Sequence, residues 1–334
     1  MSAMPLSRAR RLSASDHWRP TLCVVIDTEE EFDWSTSFDP SATTTRNIAS
    51  QPLAQDIFDR HGVVPTYVID YPVARSEEAR RVLGGFHRDG RCEIGAHLHP
   101  WVTPPQVEEV NDRHSFPGNL PGDLERAKLA ELASCIKAGF GDNPLIYKAG
   151  RYGVGPNTGR ILADLGFRFD VSVVPHTDFS SKQGPDFSSY PDQPFVTAEG
   201  IVAIPLTVSF VGSLAPWGPT LFPRISGDRA RSLRLPGLLS RAGLLERLRL
   251  SPEGHGLVDL KRQTRAALAR GQRLFMLTYH SSSLLPGATS YVADDNQLQA
   301  FLAAIDGYVS FFLGECGGCT QAVSHVGDAL LSSR

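Results

Sequence analysis

The stretch LCVVIDTE at residues 22–29 decides the fold prediction for this chain. Five apolar or thiol residues come first, which is typical of a buried strand, and Asp27 and Glu29 follow directly. Active sites of parallel α/β barrels collect at the carboxyl ends of the strands. Because side chains two apart in an extended segment project to the same side, Asp27 and Glu29 are predicted to face one pocket. The acidic run that begins at Glu29 is also consistent with a solvated turn.

The alternation of apolar strands with amphipathic helices continues along the chain. We predict strands at 22–26, 63–69, 92–96, 145–149, 167–173 and 274–279. We predict helices at 46–60, 77–88, 124–138, 156–165, 258–270 and 296–313. This order predicts an α/β fold, a distorted (β/α) barrel of about seven strands.

Two segments interrupt this pattern. Residues 1–19 carry several arginines and no long apolar run, so we predict a flexible N-terminal tail before a single barrel domain over 20–330. Residues from about 176 to 256 are rich in proline, serine and glycine, which predicts a long insertion before the last strand. Its apolar runs at 201–206 and 208–211 are predicted to form a hairpin over the barrel.

Composition and charge exclude several function classes. The net charge of −3 gives no indication of a nucleic-acid partner. No apolar run reaches the roughly 18–20 residues of a transmembrane helix. Five cysteines without an export signal predict reduced thiols and a cytoplasmic location. The pair Cys316 and Cys319 is interpreted as a turn with incidental thiols, with metal binding or redox cycling as the alternative. The oligomeric state is left open.

Two further predicted strands end in histidines. His97 and His99, within GAHLHPW at 95–101, repeat the two-residue spacing of the acids. Two imidazoles beside a carboxylate form the usual open catalytic site for zinc and related ions. His280 follows the last predicted strand and suits a general acid, because its pKa lies near neutrality. The alternatives are histidines packed in a loop with Trp101, and a structural His280 bonded to the serines that follow it.

Five motifs in order resemble the polysaccharide deacetylase family (NodB homology, carbohydrate esterase family four), and in particular its WalW-like branch linked to lipopolysaccharide biosynthesis. The resemblance spans about residues 20–320. The matching segments are DTE at 27–29, EIGAH at 93–97, YKAGRYG at 147–153, FDVS at 169–172 and LTYHS at 277–281.

This resemblance implies a NodB-like barrel and a metal-dependent deacetylase that hydrolyses N-acetyl or O-acetyl groups of a polysaccharide or surface-glycan precursor. It implies Asp27 as the catalytic base and His280 as the general acid, with Lys148 and Arg151 orienting the base. It also implies an acetylated sugar as the partner molecule.

The metal and the sugar are assigned to further residues by the same resemblance. Glu29, His97 and His99 would hold a divalent metal ion, zinc first, with cobalt, nickel or manganese as alternatives. Trp101, Tyr152 and Asp170 are predicted to contact the substrate. Trp101 and Tyr152, like Trp217, would offer a flat face to a sugar ring, and packing in the core is the alternative for all three aromatic side chains.

The sequence departs from the family pattern at three places. A threonine separates the two acids of the first motif, which are adjacent aspartates in the family. The family's second histidine lies four residues after the first, where this chain has Trp101, so His99 is predicted as the substitute ligand. Lys148 stands where arginine is usual, and Arg151 is predicted to compensate. These changes leave a non-catalytic glycan- or protein-binding descendant as an alternative function. A second alternative, an amidohydrolase of a small non-sugar amide, follows from the related branches of the fold.

Overall fold

The computed structural model describes residues 4–6, 9–12, 18–32, 36, 38–227 and 234–332. Its strands are β1 (Arg10–Arg11), β2 (Thr21–Thr28), β3 (Thr66–Ile69), β4 (Glu93–Leu98), β5 (Ile146–Ala149), β6 (Phe169–Asp170), β7 (Phe195–Val196), β8 (Val202–Ala203), β9 (Val208–Val211), β10 (Glu246–Arg249), β11 (Leu274–His280) and β12 (Cys319–Thr320). Its α-helices are α1 (Gln51–Arg60), α2 (Tyr71–Arg75), α3 (Glu77–Arg88), α4 (Gly122–Phe140), α5 (Thr158–Asp164), α6 (Gly218–Ile225), α7 (Leu235–Arg241), α8 (Leu257–Ala269), α9 (Asp295–Gly314) and α10 (Val323–Ser332). Its 3-10 turns are Arg46–Ser50, Pro100–Val102, Pro117–Asn119, Gly150–Tyr152, Ser180–Lys182, Ala215–Trp217 and Ser281–Leu284.

Among the described strands, seven form a parallel sheet in the order β11, β2, β3, β4, β5, β6, β8. β7 and β1 extend it antiparallel beyond β8, and β12 pairs with the start of β2. All eight residues of β2 are buried, as expected for a strand covered on both faces. The sheet confirms the predicted α/β barrel of about seven strands.

Backbone hydrogen bonds carry the curled sheet from β8 round to β11. The Leu206 N–H donates to the Val173 carbonyl at 2.9 Å, and the Leu250 N–H donates to the Thr207 carbonyl at 2.9 Å. The Thr278 N–H of β11 donates in turn to the Leu250 carbonyl at 3.1 Å. Leu250, one residue after β10, therefore fills the gap between the two edges of the sheet.

The predicted hairpin of 201–206 with 208–211 is wrong. β8 instead lies beside β6 in the parallel sheet, and β9 pairs antiparallel with β10, more than thirty residues further on. The segment predicted as an insertion, 176–256, thus supplies one barrel strand, and its residues 228–233 lie outside the described ones. Short apolar runs do not show their partners, because pairing depends on long-range register.

The first residues are attached to the barrel where the structure describes them, which corrects the predicted tail. β1 pairs with β7, the Met4 and Leu12 side chains are buried, and the Tyr190 hydroxyl donates to the Met4 carbonyl. The rest of the predicted tail lies outside the described residues at 1–3, 7–8 and 13–17.

The six predicted helices are present and differ from the predictions only at their ends, whereas α2 and α10 were not predicted. α1 starts only at Gln51, with a proline in its first turn, and a 3-10 turn precedes it. α4 continues to Phe140 and ends at Gly141, whose φ of 98° is the left-handed conformation that favours glycine. No helix in the described part of the chain combines the length and apolar character needed to cross a membrane.

The main hydrophobic core surrounds the parallel sheet. The Phe275 ring of β11 packs against Phe312 of α9 with ring centroids 5.2 Å apart. A smaller cluster around Phe210 and Leu245 supports the β9–β10 pair. The five cysteines are free thiols.

Candidate active site

Four predicted site residues meet at the carboxyl edge of the sheet because neighbouring strands are in register. His280 at the end of β11 lies opposite Asp27 in β2. His97 in β4 lies opposite Lys148 in β5. Parallel strands therefore deliver these side chains to one place, as expected for the carboxyl end of a barrel.

Asp27 and Lys148 form a buried ion pair. The Lys148 Nζ atom donates to Asp27 Oδ1 at 2.5 Å and to Oδ2 at 2.8 Å, and it also reaches Thr278 Oγ1 at 3.2 Å. Burial by itself raises the pKa of Asp27, but Lys148, His97 and His280 together lower it to about 2. Asp27 is therefore ionised at neutral pH, and Lys148 occupies the position that orients it.

Glu29, His97 and His99 bring their ligand atoms within 4.8 Å of one another. The Nε2 atoms of His97 and His99 lie 3.5 and 3.4 Å from Glu29 Oε2. All three side chains are at least 97% buried. The structure thus holds a buried group of two imidazoles and one carboxylate that could bind a metal ion.

The hydrogen bonds of the two histidines fit a metal ion. His97 Nδ1 lies 3.0 Å from the Lys148 carbonyl oxygen, and His99 Nδ1 lies 2.8 Å from Glu30 Oε2. The Nδ1 atom of each ring is thus occupied by an oxygen atom of the protein, and the Nε2 atom of each ring faces Glu29. Burial lowers the pKa of His99, which favours the neutral ring. A metal cation between the two Nε2 atoms and the Glu29 carboxylate would be stabilised by all three groups.

Glu30 and Trp101 hold the His99 ring in place. Glu30 accepts from His99 Nδ1 and from Trp101 Nε1, each at 2.8 Å. The Trp101 ring stacks on His99 with centroids 4.2 Å apart and planes inclined by 24°. Trp101 is only 1% exposed, so its side chain is not accessible for the predicted contact with a sugar. It packs against His99 instead.

A second acid lies beneath this pair. The Glu30 N–H donates to Asp70 Oδ2 at 2.8 Å, and Asp70 also caps α2 through the Val73 N–H. Burial raises the pKa of Glu30 to about 7 and, together with Glu30, raises that of Asp70 well above its ordinary value. The two carboxyl groups therefore retain a proton between them near neutral pH.

Local backbone contacts explain why a spacing of two residues suits this site. β4 ends at Leu98, and His99 still has extended backbone. The Thr103 hydroxyl donates to the His99 carbonyl at 2.7 Å. A side chain on Gly150 would lie 2.6 Å from His99 Cδ2, so only glycine permits this approach of β5.

His280 is paired with a carboxylate that sequence reasoning missed. Its Nδ1 lies 2.9 Å from Glu253 Oε2, its Nε2 lies 3.7 Å from Asp27 Oδ2, and its backbone N–H also donates to Glu253. Burial alone lowers the pKa of His280, but Glu253 and Glu29 raise it well above its ordinary value. His280 is therefore protonated at neutral pH, with Nε2 directed toward Asp27.

No residue spacing in the sequence indicated that Glu253 belongs to the site, because Glu253 lies in the loop between β10 and α8. Ser283 also donates to it, at 2.7 Å. A histidine that transfers a proton often bonds to a carboxylate through its other nitrogen, and this general expectation was the available indication. Arg249 was missed too; its Nη1 donates to the Tyr152 hydroxyl at 2.5 Å.

Arg151 does not fulfil its predicted role as a second support for the base. Its guanidinium donates to the Ser115 hydroxyl, lies 3.5 Å from Asp112 Oδ1, and covers the Phe116 ring at 4.1 Å. The positive φ of 54° at Arg151 belongs to the turn that directs it there. Lys148 bonds to Asp27, whereas the Arg151 guanidinium contacts other residues.

Tyr152 and Asp170 lie in different surroundings. The Lys148 ammonium lies 5.5 Å from the centre of the Tyr152 ring, which places Tyr152 beside the ion pair of Lys148 and Asp27. Asp170 is fully buried and accepts from the Ser172 N–H and hydroxyl. Asp170 is therefore not accessible for the predicted contact with a sugar, and its carboxylate bonds to Ser172 two residues further on.

The sequence matches no protein-family model and none of the curated proteins. A solved structure from Mycobacterium smegmatis, assigned as a polysaccharide deacetylase, is similar over 97% of this chain and 94% of its own, with a TM-score of 0.55 and 16% identity. The chain has the polysaccharide deacetylase fold. PuuE allantoinase shares the fold over 100% of this chain and 98% of its own, with a TM-score of 0.56 and 13% identity. The resemblance seen in the sequence is thus confirmed for the deacetylase fold.

Proposed function

We propose that the chain is a metal-dependent deacetylase that hydrolyses acetyl groups, N-linked or O-linked, of a polysaccharide or a surface-glycan precursor. The observation that carries this proposal is the position of Asp27 and His280. An ionised base and a protonated acid lie 3.7 Å apart, beside the group formed by Glu29, His97 and His99. A buried hydrolytic site needs these three functions together.

Glu29, His97 and His99 would hold the metal ion. When bound, the ion would supply Lewis acidity, which polarises an acyl carbonyl and acidifies water. Two imidazoles and one carboxylate are a donor set that zinc prefers, with cobalt, nickel and manganese as alternatives.

The chain's own residues handle the protons. Asp27, kept ionised by Lys148, accepts the proton of the attacking water. The water oxygen bonds to the acetyl carbon, and the bond from that carbon to the sugar nitrogen or oxygen then breaks. His280 gives its Nε2 proton to the leaving group, while Glu253 stabilises the imidazolium and fixes the ring. The products are acetate and the free amine or alcohol.

A small amide is the second candidate substrate. It is supported by the allantoinase, whose fold is as similar to this chain as that of the deacetylase. Small cyclic and linear amides are therefore tested beside acetylated oligosaccharides. We also propose that the chain belongs to the WalW-like branch and acts in lipopolysaccharide synthesis. A cytoplasmic location is proposed as well, and fractionation of cells that express the chain tests it.

Metal analysis with acetate release tests the main proposal. The purified chain is expected to hold one equivalent of metal and to release acetate. His97→Ala and His99→Ala should lose both, whereas Asp27→Asn should lose acetate release and keep the metal. Undiminished metal in His99→Ala would overturn the ligand assignment, and full metal without hydrolysis of any tested substrate would support a non-catalytic binding protein.

A further inference from the structure

An exposed apolar surface lies beside the β9–β10 pair, where the helices α6 and α7 both contact β10. We call it the α6–α7 surface. Three large apolar side chains are exposed there: Trp217 is 59% exposed, Leu238 is 56% exposed and Leu244 is 37% exposed. Side chains of this size are normally buried, so their exposure in one short part of the chain indicates a contact with something outside it.

Backbone hydrogen bonds hold these three residues near one another. The Leu214 N–H donates to the Leu244 carbonyl at 2.8 Å, and the Trp217 N–H donates to the Leu214 carbonyl at 3.0 Å. The Leu244 N–H donates to the carbonyl of Leu239, the residue after Leu238, at 2.9 Å. The exposed apolar side chains therefore belong to one continuous patch.

Both helices of the surface are amphipathic. Phe222 of α6 and Leu239 of α7 pack against the small core cluster beneath them. Arg224 of α6 is exposed, and so are Leu238 and Arg241 of α7. Residues three apart in a helix lie on one face, so Leu238 and Arg241 share the outer face of α7. The outer side of the surface thus combines apolar and basic side chains.

The surface is basic. Arg224, Arg234 and Arg241 are exposed, and none of them forms an ion pair with a carboxylate of the described residues. Arg234 and Arg241 line the same cavity on α7. In the sequence, residues 213–245 contain five arginines and one acidic residue, although the whole chain has a net charge of −3. Positive charge is therefore concentrated where the apolar side chains are exposed.

This combination matches an anionic lipid surface. Arginines are attracted to negatively charged headgroups, while tryptophan and leucine enter the boundary between the headgroups and the acyl chains. The same charges disfavour a second copy of the chain as the occupant. A twofold contact places a surface against itself, so its arginines would face one another.

We propose that the α6–α7 surface docks reversibly on an anionic phospholipid bilayer. β10 connects this surface to the candidate active site, because it runs from Glu246, next to α7, to Arg249, which donates to the Tyr152 hydroxyl. A strand of four residues spans about 10 Å. Docking would therefore hold the candidate active site close to the bilayer, whichever reaction takes place there.

Vesicle flotation with the purified chain tests the proposal. The probes are vesicles of phosphatidylcholine alone and vesicles of phosphatidylcholine and phosphatidylglycerol in equal amounts. The chain should bind the mixed vesicles at least about tenfold more tightly than the neutral ones at low salt. High salt should release it, because salt screens the attraction between charges.

Substitutions on the surface should weaken this binding. One arginine near an anionic bilayer contributes about fivefold to affinity. Arg224→Gln, Arg234→Gln and Arg241→Gln together should therefore weaken binding to the mixed vesicles roughly a hundredfold. Trp217→Ser should weaken it roughly tenfold, because the half-exposed ring can no longer be buried in lipid. Arg241→Gln alone, with a loss of about fivefold, replaces the triple variant if that variant does not fold.

A second triple variant is the matched control. Arg60→Gln, Arg81→Gln and Arg265→Gln remove the same charge from three other helices, at side chains that are 57%, 72% and 59% exposed. These substitutions should change vesicle binding less than about threefold, since these arginines lie outside the surface. Circular dichroism checks that every variant is folded.

The possible outcomes separate lipid from other occupants. Absence of binding, equal binding to neutral and mixed vesicles, or an equal loss in the two triple variants would overturn the proposal. Light scattering without vesicles tests for a second copy as the occupant. A wild-type dimer that dissociates in Trp217→Ser would show that this surface binds another chain, and it would overturn the proposal as well.

Discussion

Replacing Glu30 by glutamine tests the proposal that His99 is a metal ligand. Glu30 accepts two hydrogen bonds, from His99 Nδ1 and Trp101 Nε1, each at 2.8 Å. Glutamine has one oxygen acceptor, so one of the two buried donors then faces an NH₂ group. We expect the His99 ring to lose its fixed orientation while the fold is retained.

The magnitude follows from the bond that is lost. A hydrogen bond contributes about 0.5–1.5 kcal/mol to a neutral acceptor and about 1.5–3 kcal/mol to an ionised one. Loss of a partner behind a metal-binding histidine typically weakens metal affinity by about 10–100-fold, or roughly 1.4–2.7 kcal/mol. These ranges overlap, so we expect Glu30→Gln to bind zinc at least about tenfold more weakly.

Competition with a chromophoric chelator measures this affinity, and circular dichroism checks the fold. Glu93→Gln is the matched control, because Glu93 bonds to Thr66 and Ser324 at the opposite end of β4. Trp101→Phe keeps the stacked ring and leaves the His99 bond intact, so its affinity should fall less than that of Glu30→Gln. An unchanged zinc affinity in folded Glu30→Gln would refute the reasoning.

Three further substitutions test other parts of the structure. Lys148→Met leaves the buried Asp27 carboxylate without its cation, so the free energy of unfolding should fall by about 3–5 kcal/mol in denaturant titrations. Glu253→Gln removes the charge that raises the pKa of His280, so kcat should fall roughly 10²-fold and the basic limb of the pH–rate profile should move to lower pH. Glu125→Gln tests a group remote from the site: burial raises the pKa of Glu125 to about 7. Other buried carboxyl groups titrate in the same range, so the test is the difference: between pH 4.5 and 8 the wild type should lose up to about 3 kcal/mol more unfolding free energy than the variant.

The sign of the Glu125 effect is set by its raised pKa. The folded chain holds the proton more tightly than the unfolded chain, so this stability is complete at low pH and is lost as the pH rises through 7. Glu131→Gln on the exposed side of α4 is the control. A parallel pH dependence in wild type and Glu125→Gln would contradict the assignment. For Glu253→Gln, metal content should be unchanged, and loss of metal would mean that the substitution disturbs the whole site.

The sequence determined the class of fold and the choice of candidate site residues because both depend on local patterns. A buried apolar run followed by alternate acids places Asp27 and Glu29 at a strand end with no knowledge of the rest of the chain. The same holds for His97, His99 and His280. The register between the parallel strands then fixes the positions of these side chains relative to one another.

Tertiary structure alone decided which side chains support these residues. Glu30 could not be distinguished from its acidic neighbours until burial placed it beneath His99 and Trp101. Glu253 and Arg249 come from a segment that seemed irregular, and their positions depend on the bond of Leu250 to β11. Contacts between distant parts of the chain carry no periodic signal, because their partners are set by packing and not by spacing along the chain.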